Sequence, residues 1–294
     1  MSVKFDWPIP EGHKSVQWSG RGFEVDGKHA PILSFCVTES GWTDELTTLH
    51  EGAAGADHPI DLASRARAKR EVLANVPASE GVVLEVGCSS GYMLDELARS
   101  LPKDTLLIGS DYVAGPLRAL ADRTPSQPLM RFDLTKCPLP SNSVDVVVAL
   151  NVLEHIRDDQ KAAREIARIL RPGGAAVIEL PAAPGLYDVY DKALMHFRRY
   201  TLAGACSLFA DAGMRVVRRS HVGVFVFPAF AAVKLRNQRH LNKSDAEQRR
   251  IVESNLASTR SSVLMKVAMK LEERFASRVD YPFGIRCVLT AIKR

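Results

Sequence analysis

Between residues 81 and 180, short apolar runs alternate with stretches in which apolar positions recur every three or four residues. The runs at 81–86, 105–110, 129–132, 144–149 ("VDVVVA") and 175–180 ("AAVIEL") predict strands buried on both faces. The periodic stretches between them predict helices over 91–101, 114–122 and 157–170. In the last, Ala162, Ile166 and Ile169 form one stripe, with Arg164, Glu165 and Arg168 largely elsewhere. "RPGG" at 171–174 is expected to end that helix, because Pro172 cannot continue it and the glycines turn the chain. Strands alternating with helices imply an α/β fold with a parallel sheet covered on both faces.

The flanks break this rhythm. Phe23-Glu24-Val25, Asp26-Gly27 and the run Ile32-Leu33-Ser34-Phe35 predict a β-hairpin turning at Asp-Gly. Asp61 is placed to cap a helix that runs to about Asn75, and Thr201 to cap helix 202–212, which Gly213 closes. Strands 214–222 and 285–293 follow, separated by mostly helical sequence in which Leu264, Val267, Ala268, Leu271 and Phe275 keep helical spacing. Within 222–239, "VFVFPAFAAVKLRNQR" joins apolar and basic residues. That pattern suits a membrane surface or a buried helix, and burial is the expectation. The chain thus divides into an N-terminal hairpin and lid (1–60), a main domain (61–227 with 281–294) and a helical insertion (228–280).

Composition changes this picture little. At 46% hydrophobic and 25% charged residues, the 294-residue chain reads as an ordinary globular protein, without a signal-peptide core or a membrane-length apolar run. Five scattered cysteines (36, 88, 137, 206, 287) show no metal-type pairing and suit a reduced, cytoplasmic setting. The net charge of +5 is uneven: fourteen Lys/Arg against six Asp/Glu from residue 228 onward give +8 there, leaving −3 before it. A solvated helical surface accounts for that excess more simply than a nucleic acid does.

The chemistry concentrates around "LEVGCSSGYML" at 84–94, a strand, a glycine turn and a helix start. Gly87 and Gly91 let backbone approach a ligand, and the helix behind them favours polar groups. Asp111 ends the next strand, where a carboxylate can accept both ribose hydroxyls of an adenosine. Asp133 follows the third strand in "RFDL" and suits an adenine amino group. Each acid has a plain alternative as a turn residue, yet all converge on one sheet edge, where open α/β folds bind ligands.

These residues resemble the class I S-adenosylmethionine-dependent methyltransferases, of the small-molecule type often found in bacteria. "VLEVGCSSG" looks like the family's first motif, "SDY" its second-strand acid and "FDL" its adenine-side acid. "LPSNSVDVVVALNVLEHIRD" and "ILRPGGAAVIELP" resemble its fourth- and fifth-strand motifs. Ser89 stands where the family usually has a third glycine. The resemblance implies a Rossmann-like, seven-stranded, mostly parallel sheet whose antiparallel last strand lies between strands five and six. It implies S-adenosyl-L-methionine as cofactor, with Glu85, Gly87, Cys88 and Gly91 around its amino-acid part. Asp111 and Tyr112 would serve the ribose, Asp133 and Leu134 the adenine, and Asn151 the methyl region. "LEH" at 153–155 would start the next helix, and "HFRRYT" at 196–201 is a recurring subgroup feature.

Methyl transfer to a hydroxyl benefits from a base, and histidine suits neutral pH. His196 and His155 are the catalytic candidates; His155 also reads as a structural residue at a helix start. Tyr187, Tyr190, Arg198 and His58 are substrate-binding candidates, with His50 beside His58 in the lid. Trp18 and Trp42 read as packing. No Asn-Pro-Pro-Tyr motif follows strand four, which argues against the usual exocyclic-amine nucleic-acid methylation, and no metal cluster is apparent. The expected function is methylation, with oxygen favoured, of a small molecule such as a sugar, natural product or lipid-linked acceptor, by a monomer or homodimer. The alternatives are a nicotinamide-dependent dehydrogenase and a cofactor-binding protein without catalysis.

Overall fold

The computed structural model describes residues 4–35, 57–244, 247–248, 250–251, 263–275 and 279–294. Cys36, Trp42 and His50 lie outside them. The N-terminal elements are β1 (Val16–Trp18), β2 (Phe23–Val25), β3 (Lys28–Ala30) and β4 (Leu33–Ser34). After them come α1 (Pro59–Asn75), β5 (Val82–Val86), α2 (Tyr92–Ala98), β6 (Leu106–Asp111), α3 (Ala114–Arg123) and β7 (Leu129–Arg131). The second half holds β8 (Val144–Leu150), α4 (Asp159–Ile169), β9 (Leu170–Pro181), α5 (Val189–Ala193), α6 (Leu202–Asp211) and β10 (Met214–Val222). It closes with α7 (Phe227–Gln238), α8 (Val263–Phe275) and β11 (Arg286–Lys293).

The main sheet runs β10-β11-β9-β8-β5-β6-β7-β4 among the described residues. β11 is antiparallel to both neighbours, and the other pairings are parallel. The central strands are buried on both faces, as uninterrupted apolar sequence requires: Val82, Val83, Leu84, Val146, Val147 and Val148 are fully buried. Ala162, Ile166 and Ile169 of α4 pack into the larger core cluster, as their spacing predicts.

Several elements differ from expectation. The hairpin pairs β2 with β3, not with 32–35, because Asp26-Gly27 joins the two in a two-residue turn. Leu33–Ser34 instead adds an eighth strand at the β7 edge. Phe23 and Leu33 are buried in the main core, with Trp7 and Trp18 packed around Phe23. Residues 4–35 are therefore anchored at the sheet edge, and none of them lines the cavity described below, where a lid was expected. Asp61 is not the cap of α1, since Pro59 already begins the helix and His58 holds the cap position. "LEH" forms a separate 3₁₀ turn, Leu153–His155, and α4 starts later, where the Asp158 side chain accepts from Lys161 N–H. α4 stops at Ile169, and "RPGG" is a bulge inside the span of β9, between the pairings Val144–Leu170 and Val146–Ala175.

The insertion is built the other way round from a buried apolar helix. α7 buries Lys234 and Asn237 and exposes Val233 and Leu235. α8 buries Met269 and Glu272 and exposes Val267, Leu271 and Phe275 of the expected stripe. The reason lies beneath α7, where two buried carboxylates require a polar partner. No helix among the described residues is long and apolar enough to cross a membrane.

Candidate active site

A cavity of about 640 Å³ opens above the carboxyl ends of β5, β6, β7 and β8. That volume falls in the range of small-molecule sites, roughly 300–1,000 Å³. One end is made by the turns after the strands. Gly87, Ser89, Asp111, Tyr112, Asp133 and Leu134 line it. Gly87 has φ +73°, and a Cβ there would meet Val152 Cγ2 at 2.5 Å, so only glycine fits the turn. Asp111 Oδ2 accepts from Ser89 N–H (2.9 Å) and Oδ1 from Val113 N–H (2.9 Å). Asp133 Oδ1 accepts from the Thr135 N–H at 2.8 Å and its hydroxyl at 2.9 Å. Both acids therefore hold turns as well as facing the cavity.

Other residues expected around the cofactor do not reach it. Cys88 and Gly91 are not in the lining: Cys88 is buried beneath the turn among Met93 and Leu94, and a Cβ on Gly91 would strike Leu120. Glu85 is also outside the lining and buried; burial and then Asp111 push its carboxyl well above the usual range, and its Oε2 has no hydrogen-bond partner.

At the other end, Glu154, His155, Tyr190, Asp191, His196, Arg199, Lys234 and Arg286 line the cavity. His196 stands edge-on to His155, ring centroids 4.6 Å apart. Its Nδ1 lies 2.9 Å from Asp191 Oδ1. Burial holds the imidazole below its usual pKa, so it is neutral at pH 7, with its proton on Nδ1 toward the carboxylate and the lone pair on Nε2. Despite its burial, Asp191 is held ionised, well below the usual carboxylate range, by His196, Lys234 and Arg199. Lys234 Nζ donates to Asp188 Oδ1 (2.7 Å) and Asp191 Oδ2 (2.8 Å), and Arg199 Nη1 to Asp191 Oδ1 (2.8 Å). Asn151, at the β8 end, donates Nδ2 to Glu179 Oε1 (3.0 Å), which also accepts from Arg286 Nη1 (2.8 Å).

Of the substrate candidates, Tyr190 reaches the cavity and three do not. The Tyr187 hydroxyl donates to the His196 carbonyl (2.8 Å), bracing that loop. Arg198 turns outward to the Arg157 carbonyl and Asp159. His58 faces Asp61, which in turn holds Arg286, so it touches the site only through two other side chains. Within "HFRRYT", His196, Phe197 and Arg199 line the cavity, whereas Arg198 does not.

Sequence reasoning missed Asp191, Lys234, Arg199, Arg286 and the role of Glu154. Glu154 is fully buried, neither carboxyl oxygen has a hydrogen-bond partner, and burial pushes its pKa up to about 8. Although no metal cluster was apparent in the chain, the fold brings one ligand atom each from Glu154, His155 and His196 within 4.8 Å of one another. Glu154 and His155 are adjacent in sequence, and His196 enters 41 residues later, so no short motif announces the trio.

A sheet in this strand order, with an antiparallel β11 between β9 and β10 and a cavity over the strand ends, is the class I S-adenosylmethionine-dependent methyltransferase fold. Residues 84–178 match the family described as methyltransferase domain. A probable S-adenosylmethionine-dependent methyltransferase of Mycolicibacterium smegmatis is 34% identical over 145 residues, 49% of this chain and 54% of its own length. Trans-aconitate 2-methyltransferase of Azoarcus sp. is 32% identical over 118 residues, 40% of this chain and 46% of its own. The chain spans about half the length of these curated relatives. Phosphoethanolamine N-methyltransferase 2 of Haemonchus contortus, solved with S-adenosyl-L-methionine, superposes with a TM-score of 0.52 at 15% identity, covering 78% of this chain and 52% of that one. At that identity the likeness is one of fold.

Proposed function

We propose that the protein transfers a methyl group from S-adenosylmethionine to an oxygen of an uncharged small molecule. One observation carries this reading: a single cavity joins the Asp111–Asp133 rim to the neutral His196 imidazole. The residues present fit the cofactor. The Gly87 turn leaves backbone bare toward the cavity, Glu85 Oε2 lies unpartnered beneath it, and Asp111 and Asp133 face it with carboxylates. Gly87 suits the amino-acid part, with the buried Glu85 beneath the turn rather than in the lining, Asp111 with Tyr112 the ribose, and Asp133 with Leu134 the adenine. Cys88 and Gly91 shape the turn from behind. When bound, the cofactor supplies a methyl group already activated on a sulfonium, with a neutral thioether as leaving group.

The chain's own task is to orient the acceptor, take its proton and exclude water. His196 Nε2 is the lone pair available for the proton, and the Asp191 carboxylate holds the ring in that tautomer and stabilises the imidazolium that forms. His155 walls the same spot, and Tyr190 closes the side under α7. The buried cations at this end are already matched: Lys234 by Asp188 and Asp191, Arg199 by Asp191, and Arg286 by Asp61 and Glu179. Among the described buried side chains at this end that leaves no surplus positive charge, which favours a neutral hydroxyl compound; the exposed Arg157 also lines the cavity, set over the Phe197 ring.

The test is incubation with methyl-labelled cofactor and metabolite fractions, with products located by mass spectrometry. A labelled methyl ether is expected. Cofactor binding with no labelled product in any fraction would favour the non-catalytic alternative. His196→Ala is expected to lower turnover about 10²–10⁴-fold, the range for a lost general base, with S-adenosylhomocysteine affinity unchanged in calorimetry. Normal turnover would remove His196 from the reaction.

A further inference from the structure

We propose that Glu154, His155 and His196 form a site for one divalent transition-metal cation at the acceptor end of the cavity. The inference rests on the methyl-transfer reading for its use, and on geometry alone for its existence. The three side chains come from two segments, the 3₁₀ turn after β8 and the loop after α5, yet their ligand atoms converge within 4.8 Å. Two imidazoles and a carboxylate are a borderline donor set that suits Zn²⁺, Mn²⁺ or Co²⁺ better than Mg²⁺ or Ca²⁺, which take oxygen ligands.

Glu154 supplies an independent observation. It is fully buried, lines the cavity, and neither of its oxygens meets a donor. The carboxylates around it are treated otherwise. Asp61 and Glu179 lie 2.5 and 2.8 Å from Arg286. Asp188 and Asp191 lie 2.7 and 2.8 Å from Lys234. Glu154 has no such partner among the described residues. A buried carboxyl with no donor is costly, and a cation between it and the imidazoles removes that cost.

The outer arrangement also fits. Metal-bound imidazoles commonly donate their other N–H to a carboxylate, which fixes the ring and raises its basicity. His196 does this to Asp191 through Nδ1, which keeps its Nε2 lone pair available as the ligand. Asp191 is fixed in turn by Arg199 and Lys234. Three protein ligands leave a coordination position open to the cavity, the mark of a catalytic rather than a structural site.

In the loaded protein the His196 lone pair is a ligand, so the general-base role given above belongs to the metal-free protein, and the acceptor hydroxyl binds the cation. Coordination lowers the hydroxyl's pKa, and its proton passes to solvent. An oxygen–carbon bond then forms as the carbon–sulfur bond breaks, with the electron pair left on sulfur. The acceptor class is narrowed to hydroxyl compounds that ligate a metal directly, above all those with a second oxygen adjacent, such as vicinal diols and hydroxy ketones.

The full chain is stripped with chelator, dialysed, and titrated with Zn²⁺ and Mn²⁺ by calorimetry and with Co²⁺ by visible absorption, without cofactor or acceptor. One equivalent is expected to bind. Glu154→Gln and His196→Ala are expected to weaken it at least tenfold, and Asp191→Asn about tenfold or more through the His196 ring. S-adenosylhomocysteine binding to each sample reports folding and separates the two readings. Cofactor binding by wild type with no stoichiometric cation binding overturns the metal site and leaves methyl transfer standing. Equal cation affinity in wild type and Glu154→Gln overturns it as well. Cation binding without S-adenosylhomocysteine binding supports the metal site and sinks the methyl-transfer reading.

Discussion

At the Asp111–Asp133 end of the cavity, local sequence does nearly all the building, whereas the His196 end is assembled from distant segments. The first end uses turns within 86–135, each placed by the strand before it and fixed by short-range hydrogen bonds such as Asp133 to Thr135. The second joins Glu154 and His155, Asp191 to Arg199, Lys234 and Arg286, and its separate segments are tied by long-range bonds such as Lys234 to Asp191, 43 residues apart, and Arg286 to Glu179, 107 apart. One end is a backbone cradle that many ligand chemistries can share. The other is a buried charge network, whose parts are costly unless complete. The cradle is thereby suited to a common cofactor and the network to a particular acceptor.

The sharpest way to break this contrast is Lys234→Met. It leaves Asp188 and Asp191 buried without their shared ammonium, and removing one partner of such a pair costs about 3 kcal/mol or more. Urea unfolding should show that loss, and Asp188→Asn added to Lys234→Met should recover part of it. Unchanged stability would mean that α7 does not close the network.

At the other end, Asp111→Ala should weaken S-adenosylhomocysteine binding about 10–100-fold, the effect of losing charge-assisted hydrogen bonds of about 1.5–3 kcal/mol. Because Asp111 also accepts from Ser89 and Val113, a small fall in melting temperature should accompany it. Unchanged affinity in calorimetry would leave Asp111 a turn residue alone.

The same contrast explains what the chain revealed before its fold was known. The glycine turn and the two acids lie within about fifty residues, inside a strand rhythm that runs from 81 to 180, and each is tied to an element that hydrophobic periodicity locates. The sheet order followed from the family resemblance, not from periodicity. Asp191 and Lys234 were invisible because their meaning is mutual: a lysine among alanines and valines on α7 reads as a surface residue until Asp188 and Asp191 are placed beneath it. For the same reason α7, read as an apolar helix to be buried, shows its valine and leucine to solvent. In "HFRRYT", adjacent arginines part company because the backbone passes between α4 and the cavity, so Arg198 faces Asp159 and Arg199 faces Asp191.

A smaller effect probes Glu154 in chelator-treated protein. Burial pushes its carboxyl from the ordinary 4.5 up to about 8. Between those values the folded chain keeps a proton that the unfolded chain has released, so stability falls as pH rises. Glutamine holds no titrating proton and lacks that fall. The advantage of Glu154→Gln over wild type should therefore widen from about pH 5 to pH 8, by on the order of 1 kcal/mol per unit, then level off. Parallel stability–pH curves for the two proteins would show a carboxyl that water reaches.

The smallest expected effect tests the cradle itself. Ser89 has φ +46°, a left-handed conformation that costs a residue with a Cβ roughly 1–2 kcal/mol. Ser89→Gly removes that strain but adds about 0.5–1 kcal/mol of unfolded-state entropy, so a net gain of about 0.5 kcal/mol remains. The melting temperature should rise by roughly 1–2 °C, given about 2–4 °C per kcal/mol in chains of 150–250 residues. The Ser89 N–H that Asp111 accepts survives the change, so cofactor affinity should hold. Ser89→Val should do the reverse, since a β-branched side chain suits that backbone least. If Ser89→Gly instead lowers both melting temperature and affinity, the hydroxyl contributes more than the strain costs, and the turn after β5 recognises its ligand through a side chain, as the His196 end does.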